Sequence, residues 1–430
     1  MLIYCNQEKL KEALLSVGKT SISRFYENLH KSTLDPDSSL EETVSYFEKL
    51  PFLTRTDISK SHPDSRLYIP KSDVSFVSYT SGTTDGSPLV LYWSPVENYF
   101  FEPSIGTSSR TPLILHPALN KNFGHTFIQQ CRQAITPVTP VFADFQNLTH
   151  SAILANQTNA DGIYTTPTLA LLIADQIDKH YDSTKIKLLA LFSESLTSQK
   201  RENLKKRYPN AEIANLYASS EVGQILFYPC QRMITGQSNE FHFLHEAIIA
   251  LELSDDGELI LTMNQNKAFP LIRYRTGDFF EIKEGAVQGQ ACSCGLTTPI
   301  LSWSGRMDVD KLRLNGVEIK AEDIETAMTQ CKGDIQDLYQ LHFYPVEKSE
   351  VIRIVVEVLE SDNIRGLTTF GRIEIQEKIK NTLMRSWYFT ATATLETAVQ
   401  KGIFTVPEIS FVSEFSLKTT KTRRIVNHIV

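Results

Sequence analysis

Apolar residues recur at helical spacing in the first 70 residues of the chain. The positions that share a helical face are Leu10, Leu14, Leu15 and Val17, and then Val44, Phe47 and Leu50. Apolar side chains three and four positions apart lie on one side of an α-helix, so both stretches predict amphipathic helices. Pro51 ends the second one.

The pattern changes from about Val74 onward. Two short β-type runs, SFVSY and LVLYWS, come first. Helix-type and strand-type segments then alternate, namely LALLIADQIDKHY, IKLLALFS and AEIANLY. Such alternation is typical of an α/β protein whose parallel sheet is flanked by helices.

The last half of the chain predicts a strand-rich stretch and then a small α+β domain. Between residues 240 and 305, FHFLHEAIIALEL and GELILTMN are joined through SDDGE, which predicts a hairpin. After Gly305 the order is a strand (DKLRLNGVEI), a helix (DIETAMTQC), a strand pair containing IRIVVEVLE, a helix (FGRIEIQEKIKNTLMRS) and a strand (ISFVSEF). We therefore expect an α/β chain with a large domain over residues 1–307 and a smaller one over 308–430.

Composition narrows the possible classes of function. Hydrophobic residues make up 41% and charged residues 22% of the 430, with 19 Gly and 18 Pro, so disorder and low complexity are disfavoured. The net charge of −7 has the wrong sign for a protein held on nucleic acid by a broad basic surface. No window approaches 18 uncharged apolar residues, and the first residues lack a basic stretch followed by an apolar one. We expect a cytoplasmic protein that binds neither nucleic acid nor a membrane.

The first segment with chemistry in it is Tyr79-Thr-Ser-Gly-Thr-Thr-Asp-Gly-Ser-Pro88, between the two β-type runs. Glycines let backbone N–H groups turn toward one point and hydroxyls add donors, so this loop could wrap a polyphosphate. It is not a Walker A loop, which needs Gly-Lys-Ser/Thr and a following helix. The alternative is a solvated hairpin turn.

Two further segments carry polar groups at predicted strand ends or turns. Asn215-Leu-Tyr-Ala-Ser-Ser-Glu221 ends a predicted strand, where open α/β sheets bind ligands. Its aromatic ring, hydroxyls and carboxylate could serve a base, a phosphate and a divalent cation. Alternatively, Tyr217 is a core residue and Glu221 a charge at a helix N-terminus. Tyr274-Arg-Thr-Gly-Asp278 could bind a ribose, or could form an Arg–Asp ion pair on a turn.

The six cysteines are too few and too scattered for a disulfide framework. Cys292 and Cys294 stand close together, Cys230 lies upstream, and His242 and His245 follow Cys230. Four thiolate and imidazole ligands suit structural zinc. We predict Zn²⁺ at Cys230, His242, Cys292 and Cys294, with His245 as the alternative fourth ligand and four metal-free side chains as the alternative interpretation.

In their order and spacing, these segments resemble the motifs of the adenylate-forming superfamily, which includes acyl-CoA synthetases, peptide-synthetase adenylation domains and luciferases. The resemblance is strongest to its phenylacetate-CoA ligase branch. Residues 80–88 resemble the phosphate loop, 215–221 the Asn-x-Tyr-Gly-x-Thr-Glu motif and 274–278 the Tyr-Arg-Thr-Gly-Asp motif. Residues 305–316 resemble the hinge motif, and 418–424 the segment that carries the catalytic lysine. Some relatives in this branch have a similar Cys-x-Cys-Gly.

The resemblance implies a reaction. A carboxylate attacks the α-phosphorus of ATP, pyrophosphate leaves, and the acyl-adenylate is passed to the thiol of coenzyme A or of a carrier protein's phosphopantetheine. It also implies that the small domain is a mobile lid that turns about Asp308. An enzyme of this class that loads a carrier protein in natural-product biosynthesis is the alternative, and a catalytically inactive nucleotide-binding protein is a remote one. Either a monomer or a homodimer is compatible with the sequence.

Site residues follow from the resemblance position by position. Lys421 would bridge the carboxylate and the α-phosphate, Glu221 would hold Mg²⁺, and Ser220 would bond the α-phosphate. Tyr217 would stack on adenine, Asp278 would bind the ribose hydroxyls, and Arg306 would reach toward the phosphates or the ribose. The residues that would enclose the β- and γ-phosphates are Thr80, Ser81, Gly82, Thr83, Thr84 and Gly86. Lys418 is the rival for the catalytic lysine. Lys421 is preferred because the family's Gly-Lys-x-x-Arg ending has an arginine three positions after the lysine, as Arg424 stands after Lys421.

The sequence departs from the family pattern in the phosphate loop. Thr-Thr-Asp-Gly-Ser-Pro-Leu stands where Thr-Thr-Gly-x-Pro-Lys is usual, so the loop has one extra residue and no lysine. Ala218 replaces a glycine and would narrow the neighbouring pocket. The resemblance places the acid near Phe192, Ser193, Ala218, Tyr164 and His125, which favours an aromatic or compact carboxylic acid.

Overall fold

The computed structural model describes residues 1–18, 22–80, 89–95, 109–116, 128, 138–194, 196–223, 225–243, 247–283, 292–306, 311–314, 317–331, 339–346, 351–388, 394–416 and 425–428. The chain divides into two compact units. One comprises Met1–Ser193 and Arg207–Ser304, and the other Glu194–Lys206 and Gly305–Val430. The assignment of nucleotide binding to residues 1–307 and of a lid to 308–430 stays a prediction.

The helices are α1 (Gln7–Gly18), α2 (Phe25–His30), α3 (Leu40–Glu48), α4 (Arg55–Lys60), α5 (Leu148–Thr158), α6 (Pro167–His180), α7 (Ser198–Arg207), α8 (Gln231–Thr235), α9 (Ala321–Met328), α10 (Asp362–Arg365), α11 (Thr369–Ser386) and α12 (Leu395–Gln400). Short 3₁₀ turns span Pro63–Arg66, Lys71–Asp73, Ser183–Lys185 and Thr329–Cys331. In the part of the chain that is described, no helix is long and apolar enough to cross a membrane.

The strands are β1 (Leu2–Cys5), β2 (Phe76–Tyr79), β3 (Val90–Trp93), β4 (Pro112–Leu115), β5 (Val141–Phe142), β6 (Gly162–Thr165), β7 (Leu188–Leu191), β8 (Glu212–Asn215), β9 (Tyr217–Ala218), β10 (Ile225–Tyr228), β11 (Glu240–Phe243), β12 (Ala250–Leu253), β13 (Glu258–Met263), β14 (Leu271–Ile282), β15 (Leu301–Arg306), β16 (Lys311–Leu314), β17 (Val317–Lys320), β18 (Tyr339–Pro345), β19 (Ile352–Leu359), β20 (Glu408–Val412) and β21 (Ile425–Asn427).

The first unit contains three sheets. A five-stranded sheet in the order β5-β4-β6-β7-β8 is parallel at every pairing, and its central strands are fully buried. An eight-stranded sheet has the order β1-β12-β13-β14-β15-β11-β10-β9. β2 and β3 form an antiparallel hairpin that pairs Tyr79 with Val90. Parallel and antiparallel sheets with helices among them confirm the α/β class.

The amphipathic pattern at the N-terminus is confirmed. α1 buries Leu10, Ala13, Leu14 and Val17 in one hydrophobic core with Phe47 of α3. Ser39 caps α3, since its hydroxyl accepts from Glu42 N at 3.2 Å while the Glu42 carboxylate accepts from Ser39 N at 2.7 Å. The strand β1 in front of these helices was not predicted.

The second unit has a four-stranded sheet in the order β20-β19-β18-β21, with α11 and α12 contributing Ile379, Leu383, Leu395 and Ala398 to its core. β18 and β19 are antiparallel, whereas β20 and β21 join the outer edges in parallel. The stretch predicted as one strand, DKLRLNGVEI, forms two, because β16 and β17 pair antiparallel, with Asn315 and Gly316 between them in the sequence. Asn-Gly between apolar runs is a strong hairpin signal.

Candidate active site

The carboxyl ends of β4, β6, β7 and β8 lie along one edge of the parallel sheet. Two residues predicted from the sequence lie just beyond these strands: Phe192 follows β7, and Tyr217 comes two positions after β8. His116 follows β4 in the same way. Ligands of open α/β sheets bind outside this edge. The sheet therefore brings His116 and Tyr217, which are 101 positions apart in sequence, to one edge.

Tyr217 and Asp278 are joined by a buried hydrogen bond. The Tyr217 hydroxyl donates to Asp278 Oδ2 at 2.7 Å, and the two residues are only 3% and 2% exposed. The Tyr217 ring packs at 5.0 Å from Phe227, 5.1 Å from Phe280 and 5.6 Å from Trp303, measured between ring centroids. The second and third sequence motifs therefore meet in the fold.

Asp278 is held in place by the backbone of its own strand. Gly277 has φ +74°, a conformation that glycine adopts without strain, and its N–H donates to Glu258 Oε1 at 2.9 Å. Glu258 also accepts from Arg275, at 2.7 Å from Arg275 Nε to Oε2. The Asp278 N–H donates to Thr276 Oγ1 at 3.1 Å. These bonds fix where the carboxylate leaves β14.

Glu221 and Thr80 are joined through Arg55, which the sequence analysis did not single out. Arg55 Nη1 donates to Glu221 Oε1 at 2.6 Å, and Arg55 Nη2 donates to Thr80 Oγ1 at 2.8 Å. The side chains of Arg55 and Glu221 are 21% and 8% exposed. The first and second motifs are therefore connected by one guanidinium group.

Arg55 is also tied to the strand that carries the third motif. It is the first residue of α4, whose N-cap Thr54 and Asp57 form a reciprocal capping box. Just before the cap, Leu53 N donates to Arg273 O at 3.0 Å, and Arg275 N donates to Leu53 O at 2.9 Å. This short parallel bridge to β14 sets the position of the guanidinium.

Thr80, the second residue of the first motif, is hydrogen-bonded to Leu89 on the opposite strand of the hairpin. Its N–H donates to Leu89 O at 3.0 Å, and its hydroxyl accepts from Leu89 N at 3.1 Å. Thr80 and Leu89 thus extend the pairing of the β2–β3 hairpin by one residue on each strand. Glu221 lies in the turn between β9 and β10, so the alternative of a charge at a helix N-terminus is wrong.

Three of the five residues predicted to line an acid pocket belong to or pack against one hydrophobic cluster. Tyr164 and Phe192 are 9% and 2% exposed, and half-buried Ala218 packs against the same cluster. His116, 3% exposed, stacks on Phe192 with the ring centroids 4.6 Å apart. Ser193 adopts φ +72°, which is rare for a serine. Sequence reasoning missed His116, which stands directly after β4.

Two of the remaining predicted site residues, Ser220 and Arg306, lie in the described part of the chain. Ser220 is exposed in the turn before Glu221, and half-buried Arg306 is the last residue of β15, in the part of the chain that belongs to the second unit. The residues that lie outside the described part of the chain are Ser81, Gly82, Thr83, Thr84, Gly86, His125, His245, Asp308, Lys418, Lys421 and Arg424.

The four predicted zinc ligands lie together. Their ligand atoms are all within 4.8 Å of one another, with 3.9 Å between the sulfurs of Cys230 and Cys292 and 3.4 Å between Cys294 Sγ and His242 Nε2. Zn–S and Zn–N bonds of about 2.3 and about 2.0 Å in a tetrahedron require ligand separations of roughly 3.4–3.8 Å, so the cluster fits zinc. The other ring nitrogen, His242 Nδ1, lies 3.2 Å from Thr298 Oγ1, which would orient the imidazole.

Local hydrogen bonds perturb the thiols of this cluster. Burial raises the pKa of Cys292, but hydrogen bonds from the Cys294 backbone and the Arg232 side chain outweigh it and lower that pKa to about 7. Burial, followed by interactions with the neighbouring cysteines, raises the pKa of Cys294 to about 11. Burial also lowers the pKa of His242, which favours the neutral imidazole that a metal requires.

Comparison with solved structures identifies the class of fold. The chain matches 2-hydroxyisobutyryl-CoA ligase, solved in the postadenylation state in complex with R3-HIB-AMP, with a TM-score of 0.70 and 14% identity, over 98% of this chain and 88% of the other. At this level of identity the likeness shows the fold, which is that of the adenylate-forming ligases.

Curated relatives then show which branch the chain resembles. The chain is 25% identical over 349 residues to the phenylacetate-coenzyme A ligase of Thermus thermophilus, covering 75% of this chain and 74% of that enzyme. It is 24% identical over 340 residues to the phenylacetate-coenzyme A ligase of Pseudomonas putida, with 72% of each chain covered. No protein-family model matches the chain. The predicted resemblance to phenylacetate-CoA ligases is confirmed, and with it the class of AMP-forming acid–thiol ligases.

Proposed function

We propose that this protein activates a carboxylic acid with ATP and then transfers the acyl group to a thiol. The carboxylate oxygen bonds to the α-phosphorus, the bond from that phosphorus to the pyrophosphate oxygen breaks, and pyrophosphate leaves. The thiol sulfur then bonds to the acyl carbon, its proton is lost, and AMP leaves. The likeness to phenylacetate-CoA ligases supports this chemistry.

The observation that carries the proposal is the convergence of the motifs. Tyr217 is bonded to Asp278, and Arg55 bonds both Glu221 and Thr80 while its helix begins beside the strand of Asp278. These groups suit the parts of one nucleotide: an aromatic ring for the base, a carboxylate for the ribose, and hydroxyls for the phosphates. Unrelated surface turns would have no reason to meet.

The physical problem in the first step is repulsion between an anion and a polyanion. Preorganised donors and cations aimed at the reacting oxygens lower this barrier. We assign that role to Lys421, with Ser220 bonding the α-phosphate. The residues assigned to enclose the β- and γ-phosphates are Thr80, Ser81, Gly82, Thr83, Thr84 and Gly86. Arg306 is assigned to the phosphates or the ribose, and Asp308 to the hinge of the lid.

Glu221 suits a divalent cation bound together with ATP. Arg55 occupies Oε1, and no described residue donates to Oε2, which leaves an oxygen of the kind that Mg²⁺ prefers. When bound, Mg²⁺ would offset negative charge on the phosphates.

For the acid we propose an aromatic or compact substrate. Large side chains stand at the carboxyl ends of the strands, with Phe192, Tyr164 and His116 among them, and the methyl group of Ala218 adds bulk beside them. Such residues leave room for a ring or a short chain more readily than for a long acyl tail. The thiol acceptor is coenzyme A or the phosphopantetheine of a carrier protein.

The Cys230, His242, Cys292 and Cys294 cluster is proposed to hold a structural zinc ion. Four protein ligands complete a tetrahedron and leave no open position, which is typical of structural rather than catalytic zinc. The ion would tie the segment before β15 to β11 and to the residue before α8.

ATP–pyrophosphate exchange across a panel of aryl, amino and short aliphatic acids tests the proposal. We expect acid-dependent incorporation of labelled pyrophosphate into ATP, strongest with a compact or aromatic acid. Coenzyme A or a pantetheinylated carrier protein, added afterwards with that acid, identifies the acceptor from the thioester formed. ATP binding without exchange for any acid would show an inactive nucleotide-binding protein instead.

A further inference from the structure

The predicted phosphate loop has no cation of its own, and Arg55 contacts its first residue. From Thr80 to Leu89 the sequence contains no lysine or arginine, and Asp85 adds a negative charge. A loop of this kind must approach a polyphosphate, whose oxygens are stabilised by positive charge. Arg55 bonds the hydroxyl of Thr80, the first residue of that loop.

The guanidinium has donors to spare for such a ligand. It carries five N–H groups, and the structure records one bond from Nη1 and one from Nη2. Its buried Nε has no acceptor among the described residues. The planar fork of arginine matches two phosphate oxygens, and charge-assisted bonds of this type are short and strong.

We infer that Arg55 supplies the positive charge that the phosphate loop lacks, donating to the β- and γ-phosphates of ATP and so to the departing pyrophosphate. Its bond to Oε1 of Glu221 holds that carboxylate so that Oε2 remains for a divalent cation. The inference rests on the proposed function, because it assigns the triphosphate to this site.

A purely structural ion pair is the competing explanation. Arg55 also connects α4 with the β2–β3 hairpin, so its loss could loosen the whole nucleotide site. The two roles differ in which ligand they affect: a phosphate contact concerns ATP and pyrophosphate, whereas a loosened site weakens AMP as well.

Calorimetric titration with ATP, pyrophosphate and AMP at saturating Mg²⁺ separates them. For Arg55→Gln we expect binding of ATP and of pyrophosphate to weaken roughly 10-fold or more, as for loss of a hydrogen bond to a charged group. AMP binding should stay within about 2-fold of the wild type, because AMP lacks the β- and γ-phosphates. Arg55→Lys keeps the positive charge but not the planar fork of donors, so its affinities for ATP and pyrophosphate should lie between those of the wild type and of Arg55→Gln.

The matched control is Lys60→Gln, which removes an exposed cation from the same helix and should leave all three affinities unchanged. Because Arg55→Gln leaves Glu221 without its partner, the thermal midpoint of each variant is measured as well, and Arg55→Lys, which keeps a positive charge beside Glu221, serves if Arg55→Gln folds poorly. Equal losses for ATP and AMP, or no loss for either, would overturn the assignment.

These titrations need no acid substrate, so they are independent of the exchange assay. If Arg55→Gln weakens ATP and pyrophosphate binding but not AMP binding, while none of the acids supports exchange in the wild type, Arg55 remains a phosphate-binding residue and the proposed reaction is refuted. If an acid supports exchange but Arg55→Gln does not weaken ATP and pyrophosphate binding selectively, the proposed reaction stands and the role of Arg55 is refuted.

Discussion

The hydroxyl of Tyr217 donates to Oδ2 of Asp278 across 61 residues of sequence, at 2.7 Å, in a site from which water is largely excluded. Tyr217 belongs to a strand at the end of the eight-stranded sheet and Asp278 to a strand in its middle. With Oδ2 engaged by the tyrosine, we assign the other carboxylate oxygen, Oδ1, to a ribose hydroxyl.

Asp278→Asn tests whether this carboxylate binds the ribose. We expect kcat/KM for ATP in the exchange reaction to fall about 10- to 100-fold, because hydrogen bonds to a charged acceptor contribute about 1.5–3 kcal/mol. With 2′,3′-dideoxy-ATP, which lacks both hydroxyls, the wild type and the variant should differ little. Tyr217→Phe, which keeps the ring, is the matched control. A loss equal for both nucleotides would assign Asp278 to structure alone.

Lys421→Ala should abolish most of the adenylation while ATP binding stays within a few fold. Removing a preorganised cation that acts on the transition state typically lowers kcat about 10²- to 10³-fold. Single-turnover formation of the acyl-adenylate measures this. Lys418→Ala serves as the comparison, since Lys418 is the rival in the same segment; an unimpaired Lys421→Ala protein would refute the assignment.

Purified protein should contain about one equivalent of zinc by elemental analysis, because three thiol sulfurs and one imidazole nitrogen lie within 4.8 Å of one another. Cys230→Ser should lose the metal and lower the thermal midpoint. Cys5→Ser, at a half-buried cysteine outside the cluster, should change neither. Less than about half an equivalent in the wild type would remove the zinc proposal.

A fall in pH should destabilise the first unit through protonation of His30. Burial, assisted by the positive charge of Arg273, lowers the pKa of His30 from 6.5 to about 4. Below about pH 6.5 the unfolded chain therefore takes up a proton that the folded chain resists, so stability is lost as the pH falls through this window. Between about pH 7 and about pH 4.5, His30→Gln should lose roughly 1–3 kcal/mol less unfolding free energy than the wild type.

Urea denaturation at a series of pH values measures this difference. His62→Gln, at an exposed histidine, should keep the wild-type dependence on pH. Identical slopes for His30→Gln and the wild type would contradict the account of His30.

Periodicity in the sequence was enough for the elements that have clear amphipathic or apolar patterns. α1, α6, β7 and the β12–β13 hairpin lie where that pattern predicts them. β1 was missed because its four residues carry no distinctive pattern, and its place is fixed by pairing with β12 about 250 positions later. Long-range pairing of this kind leaves no local signal.

The candidate site shows the same limit. Tyr217, Glu221 and Asp278 were found because short motifs with the right order surround them. Arg55 and His116 have no such motif: one is the first residue of a short helix, and the other follows a buried strand. Their contacts arise only when α4 bridges to β14 and when β4 and β7 bring His116 onto Phe192.

Transfer of ¹⁸O from the acid tests the central claim most directly. With an acid that supports exchange, labelled in both carboxylate oxygens, and with its thiol acceptor, we expect one labelled oxygen in each AMP and none in pyrophosphate, because the attacking oxygen stays on the α-phosphorus. Label in pyrophosphate or inorganic phosphate, or unlabelled AMP, would show that the carboxylate does not attack the α-phosphorus.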